Sequence, residues 1–214
     1  MKHPDPRLRA YCDLLVDAPV SVTSVRDHDG IWSVHIEDAL TALPVVQRLA
    51  PASVVDVGSG GGSPGLPLAL VTGIATTLLE ATESKCVFLR SAVSRLGAPC
   101  AVVCDRSELY ARGDGRDAFD LALARALAAP VVAAELCLPL VRMGGHALLW
   151  TADIDLEPVS AAAAAVGGEL AESVVAGPNR RLLVLAKTAP TPERFPRRPG
   201  MASKRPLIRV PSGA

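Results

Sequence analysis

Residues 53 to 65 read SVVDVGSGGGSPG: a β-branched run closes on Asp56, and Gly58, Gly60, Gly61, Gly62 and Gly65 follow with only Ser59, Ser63 and Pro64 among them. A structural turn needs one glycine, or two. A stretch this bare of side chains lets a ligand lie against the backbone, because glycine accepts positive φ and close approach. A second acid, Glu80, stands about 20 residues beyond the loop, at the end of the next apolar run, where a carboxylate can accept both hydroxyls of a ribose. Asp105, Ser107 and Glu108 follow the third apolar run. An acid or backbone group there can accept adenine amino hydrogens, although Asp, Ser and Glu together are also a helix-cap composition. Arg125 ends the fourth run, LALAR, where it can meet a carboxylate or a phosphate.

Two ligand chemistries fit such a loop. Gly60, Gly62 and Gly65 match GxGxxG, the dinucleotide fingerprint. Pro64 opposes that reading, because a pyrophosphate is cradled by N–H groups at a helix N-terminus and proline removes one. The other register, Asp56-Val-Gly58-Ser-Gly60, resembles the first motif of class I methyltransferases, which bind S-adenosylmethionine (SAM). SAM has no phosphate and needs close backbone contact along its methionine part, and the Asp56 carboxylate suits its ammonium. Glu80 fits either ligand. A nucleophile–base triad and a metal cluster are both missing from the pattern. Cys100 and Cys104 flank AVV and read as buried thiols of a strand, without the spacing of a metal site. An odd total of five cysteines fits a reducing compartment.

These residues need elements to hold them. After Pro51 the pattern alternates β and α: SVVDV, TTLLEA, CAVVCD, FDLALARA and HALLWTA read as strands. LPLALV, SKCVFLRSAVSRL, PVVAAELCLPLVRMGG and PVSAAAAAVGG read as helices, with glycines closing the last three. Ala161–Ala165 reads as a helix face of small residues open to solvent. ESVVA and RRLLVLAK, joined by GPN, read as a closing hairpin. The expected fold is α/β and Rossmann-like, a seven-stranded, mostly parallel sheet with helices on both faces. Ahead of it residues 5–17 and 33–49 read as helices, the second capped by Ser33 and open to a kink at Pro44. The division expected is a helical segment over 1–50, a ligand-binding domain over 51–188 and a basic, proline-rich tail over 189–214.

The chain has 214 residues, half of them apolar and only 3% aromatic, so Val, Leu and Ala fill the core and a wall of base-stacking aromatics is excluded. Net charge is zero but uneven: residues from Lys187 onward carry +6 and the remainder −6, so a polyanion would be met locally. MKHPDPRLRAY has no apolar leader core, and the longest apolar stretch, 126–141, is broken by Glu135 and two prolines. A cytoplasmic protein, not bound to a membrane, is expected.

The spaced set DVGSGGGSPGLPLAL, LLEATESKCVFL, DRSEL, FDLALARALA and TPERFPRRPGMASKRPL, with SVTSVRDHDGIWSVHIEDAL ahead of it, resembles the RsmG (GidB) family over nearly all of the chain from about residue 10. The resemblance implies a class I fold, SAM as cofactor, and methylation of N7 of a guanine in the 530 loop of bacterial 16S ribosomal RNA. It places SAM contacts on Gly58, Ser63, Ser107, Glu108 and Arg125, beside Asp56, Gly60 and Glu80 from the loop reading. Guanine N7 already holds a lone pair, so no catalytic acid or base is expected, and alignment carries the reaction. Arg197, Arg198, Lys204 and Arg205, spaced by prolines, are the candidate RNA contacts, against a solvated tail as the other reading. His35 can touch RNA or pack, and packing is favoured. The chain departs from the family at Trp150-Thr151, where many members have Lys-Gly, and at Val34 and Ala39. These departures bear on the substrate more than on SAM. A small-molecule methyltransferase, a non-catalytic ribosomal RNA binder and a dehydrogenase are the competing readings; the basic tail, the intact Glu80 and glycines, and Pro64 respectively oppose them. Nothing in the sequence calls for more than a monomer.

Overall fold

The computed structural model describes residues 5–209. The chain divides into two compact units, Met1–Asp105 and Arg106–Ala214. Among the described residues, seven strands form a mixed sheet.

In the first unit, β1 (Ser53–Val57), β2 (Ala75–Glu80) and β3 (Cys100–Cys104) run parallel, with Asp56 beside Leu78 and Glu80 beside Cys104. The helices α5 (Gly65–Thr72) and α6 (Glu83–Leu96) follow β1 and β2, and Gly73 and Gly97 end them in the left-handed conformation. The N-terminal helices do not form a separate body. Leu8, Tyr11 and Leu15 of α1 (Pro6–Val16) share one apolar cluster with Leu66 and Leu70 of α5, Leu78 of β2 and Phe88 and Leu89 of α6. Burying that stripe gives α1 its stability, since a helix of this length is marginal alone.

The second helical stretch begins earlier than Ser33. Asp27 caps α2 (His28–Ile31), its carboxylate accepting from the Gly30 N–H at 2.7 Å. A π-wound turn, Trp32–Glu37, leads into α3 (Asp38–Leu40). The break comes at Thr41–Ala42, and Pro44 sits in the first turn of α4 (Leu43–Leu49), where its missing N–H costs nothing.

The second unit holds α7 (Ser107–Tyr110), β4 (Phe119–Ala124), α8 (Pro130–Cys137), β5 (Val141–Thr151), α9 (Glu157–Ala165), β6 (Gly168–Gly177) and β7 (Arg180–Lys187). β4 and β5 are parallel; β7 lies antiparallel between β5 and β6, the expected closing hairpin. Two expectations fail here. The helix expected through Gly145 stops at Cys137, and the strand already begins at Val141. Pro139 interrupts the helix ladder, and Gly144–Gly145 lie within the strand, where a Cβ on Gly145 would stand 2.6 Å from the Asp120 carbonyl. The alanine helix is also only half open, because Ala162 and Ala163 are fully buried.

The tail is neither extended nor loose as far as it is described; residues 210–214 lie outside the described residues. Arg112 donates to the Pro196 carbonyl at 2.8 and 3.1 Å, and Arg116 donates to the carbonyls of Phe195 and Thr191 at 2.9 and 2.8 Å. Lys187, wholly buried, donates to the Leu138 carbonyl at 2.8 Å and to the Thr191 hydroxyl. The last turn of the tail is α10 (Met201–Lys204).

Candidate cofactor site

The loop after β1 is built from beneath. The Asp56 carboxylate is 1% exposed and accepts from the Gly65 N–H at 3.0 Å, so it satisfies an orphan donor at the start of α5. This explains Gly65: a Cβ there would stand 2.6 Å from the Asp56 Cβ. Tyr11 donates to the Gly61 carbonyl at 2.8 Å, and the Ser63 hydroxyl donates to the His35 carbonyl at 2.7 Å. The His35 ring is buried, with Nε2 2.8 Å from the Thr23 hydroxyl, the packing role expected for it. The N-terminal helices therefore hold one side of the loop in place.

The other side is open. Gly60 has φ +57, and a Cβ on it would meet nothing closer than 3.9 Å. Its N–H donates to Glu80 Oε2 at 2.9 Å, while Glu80 Oε1 accepts from the Thr82 N–H at 2.8 Å. The carboxylate thus stands at the loop, held in one rotamer. A carboxylate offers about four acceptor directions and two are taken here, which leaves capacity for a diol. Asp105, at the end of β3, donates its N–H to the Glu80 carbonyl at 3.0 Å.

So the loop and Glu80, separated in sequence, meet as expected, but the roles divide. Gly58 (φ +71), Gly60 and Glu80 border the open side. The Asp56 and Ser63 side chains are spent on the loop's own architecture. Fit to SAM is supported by an open glycine edge beside an anchored carboxylate.

In the second unit, Glu108 is buried in α7 and its Oε1 accepts from the Gly200 N–H at 2.8 Å; the Ser107 hydroxyl lies 3.4 Å from the other oxygen. Arg106 occupies the cap position of α7 without a side-chain cap bond, so the capping role considered for this run is not realised. Arg125 directly follows β4 and is partly buried. Trp150 and Thr151 are buried at the end of β5.

The four tail cations also divide. The Arg197 guanidinium is bidentate on Glu135, a carboxylate 1% exposed in α8, with Nε–Oε1 2.8 Å and Nη2–Oε2 2.6 Å. That pairing raises the Arg197 pKa further and commits its charge to the fold. Arg198, Lys204 and Arg205 are exposed. Glu135, Arg112 and Arg116 were missed in the sequence. The lone acid in PVVAAELC, on an otherwise apolar helix, was the available signal, since a buried carboxylate requires a partner.

Cys86 and Cys104 are paired as a disulfide, which corrects the reading of Cys104 as a buried thiol, whereas Cys100 is free. Their meeting depends on β3 ending beside the first turn of α6, which spacing alone does not reveal.

This fold is that of the class I SAM-dependent methyltransferases. The chain superposes on 1,6-didemethyltoxoflavin-N1-methyltransferase of Burkholderia thailandensis, with S-adenosylhomocysteine bound, at TM-score 0.56 and 20% identity, covering 88% of this chain and 92% of that one. It superposes on a glutamate-to-glutamine mutant of MtNAS in complex with SAM at TM-score 0.58 and 15% identity, covering 86% of this chain and 73% of that one. A family model described as rRNA small subunit methyltransferase G (GidB) matches residues 5–177. The chain belongs to that family. It is 36% identical to Ribosomal RNA small subunit methyltransferase G of Moorella thermoacetica, over 94% of this chain and 89% of that one. With the same enzyme of Rubrobacter xylanophilus it shares 38% identity, over 87% and 77%.

Proposed function

We propose that this protein transfers a methyl group from SAM to N7 of a guanine in the 530 loop of 16S ribosomal RNA. Its membership of the rRNA small subunit methyltransferase G family makes it a SAM-dependent enzyme of small-subunit ribosomal RNA. The observation that carries the cofactor part is the Gly60 N–H on Glu80 Oε2, with open space beside Gly60.

When bound, SAM supplies an electrophilic methyl on a sulfonium, a strong leaving group. Glu80 would accept the ribose hydroxyls, and the backbone at Gly58 and Gly60 would border the methionine part. The family resemblance assigns Ser107, Glu108 and Arg125 to the same cofactor. Asp56 and Ser63 act by holding the loop, Asp56 through Gly65 and Ser63 through the His35 carbonyl. Guanine N7 needs no deprotonation, so the protein's contribution is orientation and exclusion of water. Arg198, Lys204 and Arg205, exposed on the tail, are the proposed phosphate contacts. The helical segment ahead of β1, the SAM-binding domain and the tail are proposed as three functional parts. Among the described residues no helix is long and apolar enough to cross a membrane. Because its substrate is the small subunit, we propose that it acts in the cytoplasm, as a monomer.

The test uses purified protein, labelled SAM and small subunits from a strain lacking the gene, with label mapped by nucleotide. A single N7-methylguanine in the 530 loop is expected. SAM binding with no label in ribosomal RNA would refute the substrate and turn attention to the Trp150-Thr151 departure.

A further inference from the structure

Cys86 and Cys104 carry chemistry that methyl transfer does not use. Cys86 is in the first turn of α6, and Cys104 is the last residue of β3. Their Cα atoms are 5.9 Å apart, in the usual range for a bridge. They stand directly behind Glu80. Cys104 is the register partner of Glu80, and Cys86 Sγ lies 3.3 Å from the Glu80 carbonyl, which also accepts the Asp105 N–H. Glu83 Oε2 lies 3.0 Å from Cys104 Sγ. Cys104 is partly exposed and Cys86 buried, so a reagent meets Cys104 first. Burial pushes the Cys12 thiol up to about 11, and burial with the nearby Asp56 charge pushes Cys100 up to about 12, which leaves both nearly devoid of reactive thiolate.

We propose that Cys86 and Cys104 form a reversible thiol–disulfide site whose oxidised state holds the Glu80 rim in its ligand-ready arrangement and so tightens SAM binding. The inference rests on Glu80 belonging to the SAM site. The co-reactant is a low-molecular-weight disulfide. The Cys104 thiolate attacks one of its sulfurs and expels a thiolate. The Cys86 thiolate then attacks Cys104 Sγ in the mixed disulfide and expels the second. Two protein thiols lose two protons and two electrons, and one small disulfide becomes two thiols.

In the reduced state the Cys104 S–H can donate to the Glu83 carboxylate and the Cys86 S–H to the Glu80 carbonyl, both of them weak donors. The covalent link removes opening motions from the SAM-free protein, so less freedom remains to be lost on binding. We expect about fivefold tighter SAM binding, at the lower end of usual coupling strengths. By reciprocity SAM shifts the midpoint of the pair by about 20 mV to more negative potential.

The full-length protein is equilibrated in glutathione redox buffers with and without SAM. Remaining thiols are alkylated and located by peptide mass, and SAM binding to each state is measured by calorimetry. Cys86 and Cys104 should be protected together, with the midpoint moved by SAM. Cys104→Ser should bind SAM at the reduced-state affinity in every buffer. Alkylation of both cysteines in the most oxidising buffer would overturn the proposal. So would a stoichiometric zinc ion held by Cys86, Cys104 and Glu83, whose donor atoms lie within 4.8 Å of one another. Equal SAM affinity in both states would overturn the coupling alone. No SAM binding in either state would overturn the SAM reading and the coupling with it.

Discussion

Arg197→Ala should destabilise the protein by an amount set by the charge it leaves behind. Glu135 has 1% of its side chain exposed, and after the guanidinium is gone only the backbone N–H of residue 197, at 3.3 Å, still faces it from the tail. Stranding a buried carboxylate costs about 3–5 kcal/mol. Glu135→Gln removes that charge and leaves an arginine already 23% exposed, which can turn to water, so it should cost only about 1–2 kcal/mol. At about 2–4 °C per kcal/mol for a chain of this size, Arg197→Ala should melt roughly 6–20 °C below the parent and Glu135→Gln roughly 2–8 °C below it. The double variant should be more stable than Arg197→Ala alone, because the buried charge is absent. Urea and thermal unfolding of the four proteins complete the cycle. The exposed cations should behave in the opposite way. Exchanging Arg198, Lys204 and Arg205 for Gln should leave the melting point nearly unchanged and flatten the salt dependence of RNA binding by up to about 0.7 log units per lost phosphate contact. An Arg197→Ala protein within about 0.5 kcal/mol of the parent, with RNA binding weakened as in Arg198→Ala, would refute the division of the tail into anchor and contact residues.

Three further outcomes are expected. Glu80→Ala should weaken SAM about 10- to 150-fold, the worth of hydrogen bonds to a charged acceptor; unchanged affinity by calorimetry removes Glu80 from the site. Gly60→Ala should fold with a loss of about 1–2 kcal/mol for its positive φ and bind SAM poorly, whereas Gly65→Ala should lose stability foremost, by about 1–3 kcal/mol from overpacking on Asp56. Full SAM affinity in Gly60→Ala, or lost SAM binding with parental stability in Gly65→Ala, would contradict the assignment of an open and a packed glycine. Burial holds the Lys187 pKa below its ordinary 10.5, so between the lowered value and 10.5 the unfolded chain binds the proton more tightly. Stability relative to Lys187→Met should therefore rise with pH through that window, and a fall, measured by urea unfolding from about pH 8 upward, would show that the Asp117 attraction outweighs burial.

The order of elements was legible because apolar runs, glycine stops and the GPN turn are local signals, read from a few neighbouring residues. So were the glycine loop and Glu80: a ligand edge in this kind of sheet must fall at strand ends, and the residue types mark it. What the sequence by itself determined is therefore the α/β class, the strands and the two segments, glycine loop and Glu80, that meet in the fold. Tertiary structure alone decided which polar groups are committed to the fold. Asp56 is a loop brace because Gly65 packs against it, and Ser63 is committed to the His35 carbonyl, 28 residues away. Arg197 is an anchor because α8 presents a buried carboxylate 62 residues earlier in the chain. The helix that ends at Cys137 was overextended because a strand with glycines in it has the same local composition as a helix with a glycine stop. Each of these outcomes depends on the partner that packing brings into reach, and residue types along the chain carry no record of that distance.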